Sequence, residues 1–136
     1  MKLDQTKLWV SQIKEKDDYF KIFDFSTVPL APVNVTLSSP QPFIINLSWQ
    51  ENPSNNYTEP GSDPFYLYYV FYAEIHDEAN YKINKWINFG SKNTSVQLRD
   101  LKSGSYYAVR ILASTTKTMG LSTETHVVQV YEGRKF

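Results

Sequence analysis

The sequence predicts an all-β sandwich, and three observations carry that prediction. Aromatic residues make up 15% of the 136 residues, and aromatic side chains suit a pleated, half-buried surface. Apolar and polar residues alternate in short runs such as Val33/Val35/Leu37 and Tyr107/Val109/Ile111/Ala113, the period of a strand with one buried face. Long Ala/Leu/Glu/Lys runs at the helical period are missing. The length suits one domain with a sufficient core and a short appendage.

Residues 1 to 28 read as an N-terminal extension or the remnant of a preceding module. Leu8, Val10 and Tyr19 to Phe25 suggest one or two strands, separated by the charged run Lys14 to Asp18. Two strands cannot bury a face alone, so this segment belongs to a neighbour or packs against one. Pro29 and Pro32 block helix and hold an extended path, which makes Ser26 to Pro32 a linker.

Seven strands are then predicted over residues 29 to 132, leaving 133 to 136 as a tail. Val33, Val35 and Leu37 give the first, ended by Ser38 to Pro42. In the second, Phe43 to Trp49, Ile45, Leu47 and Trp49 share the core face while Asn46 and Ser48 point out. Glu51 to Pro64 holds three prolines and a glycine among Ser, Asn and Asp, a loop longer than a sandwich needs. The almost wholly apolar Phe65 to Ile75 is the third strand. After the polar turn His76 to Asn80, Tyr81 to Phe89 supplies the fourth, with Trp86 placed to lie over the sheet. The fifth and sixth are Asn93 to Leu98 and Tyr107 to Ala113, joined through Ser103 and Gly104. Leu101 followed six residues later by Tyr107 is the spacing of a tyrosine corner, with the ring in the core and the hydroxyl bonded back to nearby backbone. Thr115 to Gly120 reads as a loop, and Thr125 to Tyr131 as the last strand.

Four motifs resemble the fibronectin type III family: Leu47-Ser-Trp49, Tyr68-x-Val70-x-Tyr72, Leu101 with Tyr107, and Gly120-x-Ser122. The resemblance spans residues 29 to 132, about three quarters of the chain. It implies a seven-stranded Greek-key, immunoglobulin-like sandwich with Trp49, Leu101 and Tyr107 in its core. Ser103 departs from the family, which commonly has proline before the turn glycine, and loosens the turn.

The chemistry-bearing residues do not converge in the sequence. His76 and His126 have no carboxylate or histidine at ligand spacing, and five scattered glycines make no phosphate-cradling loop. Glu51, Glu59 and Asp63 share one loop but fit no calcium motif. The expectation is a non-enzyme without cofactor or metal. Fourteen basic residues balance fourteen acidic ones, which disfavours nucleic acid and anionic membrane as partners. With no cysteine the core holds by packing alone. No run approaches the roughly 18 apolar residues of a membrane span, and the opening residues lack the apolar run of a signal peptide. A secreted or membrane-anchored parent therefore makes this chain an excerpt of it.

Asn-x-Ser/Thr sequons stand at Asn34, Asn46, Asn56 and Asn93, whereas nine asparagines and 23 Ser/Thr residues predict about 1.5 by chance. Alternation turns Asn34 and Asn46 outward, and Asn56 and Asn93 lie in or beside loops, so each position tolerates a glycan. Glycans there leave bare the sheet of the third, fourth, sixth and seventh strands. Its expected partner-binding residues are Tyr69, Phe71, Trp86, Tyr106, Arg110 and Leu112, aromatic and arginine side chains of the kind that anchor interfaces. The competing reading has Leu8, Trp9, Phe20 and Phe23 of the N-terminal segment folding over this face. The long 51–64 loop and the loop at 115–120 form a second candidate site, because the family often binds through loops at one end.

What the resemblance and the sequons together imply is a protein-interaction and spacer module from the glycosylated ectodomain of a cell-surface receptor or adhesion protein, such as a receptor tyrosine kinase or phosphatase with tandem repeats. It would take a protein partner and make no membrane contact of its own. A cytokine-receptor subunit fits less well, since the Trp-Ser-x-Trp-Ser motif and paired cysteines are missing. The alternative is an accessory or carbohydrate-binding module beside a secreted enzyme or within an intracellular scaffold.

Overall fold

A computed structural model of the chain describes residues 28–79, 82–83 and 85–133. Its strands are β1 (Val33–Ser38), β2 (Ile45–Gln50), β3 (Phe65–Ile75), β4 (Ile87–Ser91), β5 (Ser95–Leu98), β6 (Tyr106–Thr115), β7 (Met119–Ser122) and β8 (His126–Gln129). The smaller sheet runs β1-β2-β5; the larger runs β4-β3-β6, with β7 and β8 each pairing with β6. All pairings are antiparallel, so each sheet can bury one face and solvate the other.

The core lies where the alternation predicts. Ile45, Leu47 and Trp49 of β2 and Leu98 of β5 meet Tyr68 and Val70 of β3 and Tyr107, Val109, Ile111 and Ala113 of β6, closed by Leu101 and Val130. Trp49 stands edge-on to Tyr68, ring centroids 5.4 Å apart, a geometry that adds to the gain from burial alone. The tyrosine corner forms as expected: the Lys102 N–H donates to the Tyr107 hydroxyl at 2.9 Å.

The last predicted strand, Thr125 to Tyr131, is β8, and the correction lies before it: Met119–Ser122, which begins inside the loop expected at 115–120, forms a further strand, β7. Leu112 pairs with Ser122 and Val109 with His126, so two residues of β6 face three on the partner. Buried Thr123 bridges this break: its N–H donates to the Ile111 carbonyl at 2.9 Å and its hydroxyl accepts the Ile111 N–H at 3.0 Å. Among the described residues there are eight strands, where seven are expected.

Two other boundaries move. The sixth strand runs on to Thr115, where the expected loop begins. Buried Ser114 donates to the Leu67 carbonyl at 2.8 Å, and the Thr115 hydroxyl accepts from Lys117 and Thr118 N–H groups, so polar residues extend a strand that apolar periodicity ends at Ala113. The fourth strand starts at Ile87, six residues later than expected; Tyr81 itself is outside the described residues. The strands expected before Val28 and the tail beyond Gly133 also lie outside them.

Val28 to Pro32 is a fixed part of the sandwich rather than a free linker. Val28 is buried. The Leu121 N–H of β7 donates to the Pro29 carbonyl at 2.9 Å. Asn55 of the 51–64 loop brackets Leu30, accepting its N–H at 2.7 Å and donating to its carbonyl at 3.1 Å, and Asn52 donates to the Ala31 carbonyl at 3.0 Å.

Candidate interaction surfaces

Three surfaces bear the residues the sequence singles out. The first is the outer face of the larger sheet. The register places Tyr69 opposite Leu112 and Phe71 opposite Arg110, and all four point away from the core, as the alternation predicts. The exposed face expected there is nevertheless corrected at two positions: Phe71 is only 6% exposed and Leu112 only 1%. Ala73, Ile75 and Ala108, which share that face, are buried as well. All five stand on the two central strands, with a neighbouring strand on each side, and form a continuous strip closed to solvent. The reading in which residues 1 to 28 cover this strip lies outside the described residues.

Around the strip, Tyr69, Trp86, Tyr106 and Arg110 are half-buried. The Arg110 guanidinium lies 6.0 Å from the Trp86 ring centre, within cation–π range. Its Nε donates to the Thr125 hydroxyl at 2.6 Å and Nη1 to Ser122 at 3.4 Å. Arg110 is thus held by neighbours rather than extended toward a partner.

The second surface is the end of the sandwich where the 51–64 loop, the β6–β7 turn and the β4–β5 turn meet. A half-buried carboxylate, Glu51, organises the long loop. Glu51 accepts from the Tyr68 hydroxyl at 2.7 Å, from the Tyr57 hydroxyl at 3.2 Å and from Asn55 Nδ2 at 2.6 Å. Burial, and then the Glu51 charge and hydrogen bonds, push both phenols well above their usual range. Tyr57, Phe65 and Tyr68 stack in sequence, with centroids 5.4 and 4.8 Å apart, and Lys117 pairs with Asp63 at 3.6 Å. Glu51 and Asp63 are therefore committed to internal contacts. No group of three or more potential metal ligands clusters among the described residues.

At this end Leu30, Tyr66 and Met119 are 39%, 45% and 40% exposed, with Lys92 Nζ 5.5 Å from the Tyr66 ring centre. The periodicity gave no sign of Tyr66, a residue on an expected strand. Tyr66 falls in the irregularity between the Phe65–Thr115 and Tyr68–Ala113 pairs of β3 with β6, and the pairing with β4 reaches only as far as Tyr68.

The third surface is the outer face of the smaller sheet, which holds Asn34 and Asn46. Asn34 is exposed and donates from Nδ2 to Gln50 at 2.6 Å; Asn46 accepts at Oδ1 from Gln97 at 2.9 Å. Asn93 is exposed in the turn leading into β5, and Asn56 is exposed in the 51–64 loop.

No protein-family profile and no curated protein match this chain. Solved structures do. The FN5 domain of Drosophila Lar superposes with a TM-score of 0.59 at 19% identity, over 78% of this chain and 100% of that one. The chicken CNTN1 FN1-FN3 domains give 0.56 at 17%, over 76% of this chain and 32% of that one. The C. elegans twitchin kinase region gives 0.62 at 19%, over 80% of this chain and 18% of that one. At these identities the likeness speaks to architecture, and the fold of residues 28 to 133 is that of a fibronectin type III domain.

Proposed function

We propose that this chain is a non-enzymatic protein-interaction and spacer module from the ectodomain of a glycosylated cell-surface receptor or adhesion protein, and that it docks its protein partner through the end carrying Leu30, Tyr66 and Met119. The observation that carries the docking site is that three exposed apolar side chains, from three separate segments, stand at this end. Large apolar groups ringed by polar loops are what a partner can bury with gain. The aromatic face of the larger sheet is already closed along its middle. The fold occurs in proteins of differing location, so the ectodomain assignment rests on the four sequons.

Two measurements test the reading. The sequence flanking this chain in its parent decides the setting. A signal peptide upstream and a membrane-spanning helix downstream support the ectodomain, whereas an adjoining catalytic domain without them supports the accessory-module alternative. For the docking site, a photo-crosslinking residue is placed at Tyr66 or Met119 of the parent protein on intact cells, with Ser38, exposed on the smaller sheet, as the control. Adducts from the first two positions and none from Ser38 are expected; equal labelling at all three removes the assignment.

A further inference from the structure

The outer face of the smaller sheet has a composition unlike the rest of the surface. Its eight outward residues form rows set by the register: Ser38, Asn46 and Gln97; Thr36, Ser48 and Ser95; and Asn34 beside Gln50. Every one is a neutral amide or hydroxyl. Such a face offers a protein partner neither an apolar anchor nor a charge, yet it can hydrogen-bond along its whole width.

Three of the four sequons are built into this face in register. Thr36, Ser48 and Ser95 are the hydroxyl residues of the Asn34, Asn46 and Asn93 sequons. They lie in one row across the three strands, with Thr36 and Ser48 hydrogen-bonded to each other. Because β1 and β5 both run antiparallel to β2, Asn34 and Asn93 stand on one side of that row and Asn46 on the other.

The side-chain bonds separate the three. The atom that receives a sugar is Nδ2. In Asn46 only Oδ1 is engaged, by Gln97, and Nδ2 has no partner among the described residues. The bonds of Asn93 are made by its backbone, leaving its side chain free among the described residues. In Asn34, by contrast, Nδ2 itself donates to Gln50, so a sugar there breaks a bond within the fold.

We propose that Asn46 and Asn93 carry N-linked glycans that cover this face, and that Asn34 is the sequon the fold disfavours. The proposal rests on the ectodomain reading, since the donor is a lipid-pyrophosphate-linked oligosaccharide of the secretory lumen. The asparagine Nδ2 bonds to the anomeric carbon of the donor sugar, the bond from that carbon to the pyrophosphate oxygen breaks, the amide gives up one proton, and lipid pyrophosphate leaves.

The test expresses the full chain behind an appended signal peptide in eukaryotic cells. Glycosidase treatment in heavy-oxygen water converts each glycosylated asparagine to labelled aspartate, and peptide mass spectrometry reads the occupancy of each site. Asn46 and Asn93 are expected to be occupied in most molecules and Asn34 in a minority. Asn56, in the 51–64 loop, is the reference. Sugar at Asn56 with Asn46 or Asn93 empty, or Asn34 filled as fully as those two, overturns the proposal and leaves the ectodomain reading standing. No sugar at any of the four overturns both.

Discussion

The Tyr107 hydroxyl accepts the Lys102 backbone N–H at 2.9 Å, so the second residue of β6 holds the turn that precedes the strand. The turn is pinned to the end of the sandwich as well. Gly104, at φ 80°, donates to the Val130 carbonyl at 3.1 Å, and the Ser103 hydroxyl donates to the Tyr131 carbonyl at 3.2 Å. Ser103, the departure from the family pattern, therefore contributes a bond that proline cannot make. Replacing Tyr107 by Phe keeps the ring and removes the acceptor, at a cost of about 1 kcal/mol. Chemical denaturation should show a lowered midpoint at unchanged m-value; an unchanged midpoint would mean that water replaces the hydroxyl without loss.

Trp49, the last core residue of β2, is 3% exposed, and its Nε1 has no hydrogen-bond partner among the described residues. The indole therefore contributes by volume and contact, not by its N–H. Trp49→Ala should cost about 3 to 5 kcal/mol. Trp49→Phe should lose much less, because it retains an aromatic ring against Tyr68 and removes an unpaired donor. Equal losses in the two variants, measured by thermal unfolding, would show that the N–H has a partner in solution.

The core was legible in the sequence because a strand's two faces differ in chemistry at every second residue, and Ile45, Leu47, Trp49, Val109 and Ile111 all obey that rule. The β7–β8 break was not, since it depends on the Thr123 hydroxyl meeting one amide of β6, a contact without period. The order of the long loop was hidden for the same reason: Glu51, Tyr57 and Tyr68 are far apart in the chain and ordinary in type. At the candidate site, alternation said correctly which side Phe71 and Leu112 face. It says nothing of whether that side is open.

Phe71 gives that last point a direct test. An exposed residue changed to alanine shifts stability by about 0.5 kcal/mol at most, whereas a buried phenylalanine costs about 3 to 5 kcal/mol. Phe71→Ala in the full chain should fall in the second range, since the side chain is closed off on a face turned away from the core. A loss in the first range would reopen the outer face of the larger sheet as a binding surface.

Asn55 couples the 51–64 loop to the segment that leads into β1. Its side chain bonds both backbone groups of Leu30, the Glu51 carboxylate and the Tyr57 hydroxyl, so Asn55→Ala removes four contacts. The expected result is local: faster amide exchange at Leu30, and at Leu121 across the Pro29 carbonyl, at a stability cost of about 1 to 2 kcal/mol. Gly120 should respond in the same region for a different reason. A Cβ there would lie 2.6 Å from the Ala113 carbonyl oxygen and 2.7 Å from that of Pro29, so Gly120→Ala forces β7 and the lead-in apart. If exchange at Leu30 stays slow in both variants, other contacts hold the lead-in.

Alkaline pH should unfold this protein through its tyrosines. Tyr57 and Tyr68 give their hydroxyl protons to one carboxylate, Glu51, and burial together with that charge raises both above the usual 10.0. Burial raises Tyr107 in the same direction. In the unfolded chain these phenols lose their protons near 10.0, while the folded chain keeps them. Above that pH the unfolded state therefore binds fewer protons than the native state, and stability falls as pH rises. Below it the tyrosines are neutral in both states and their contribution is complete and constant. Denaturation midpoints measured from neutral pH upward should stay level with respect to these groups, then decline beyond about pH 10. The double variant Tyr57→Phe with Tyr68→Phe should start less stable and decline less steeply, because two of the three shifted protons among the described residues are gone. Parallel alkaline slopes for the variant and the parent would show that the Glu51 cluster does not hold these phenols neutral.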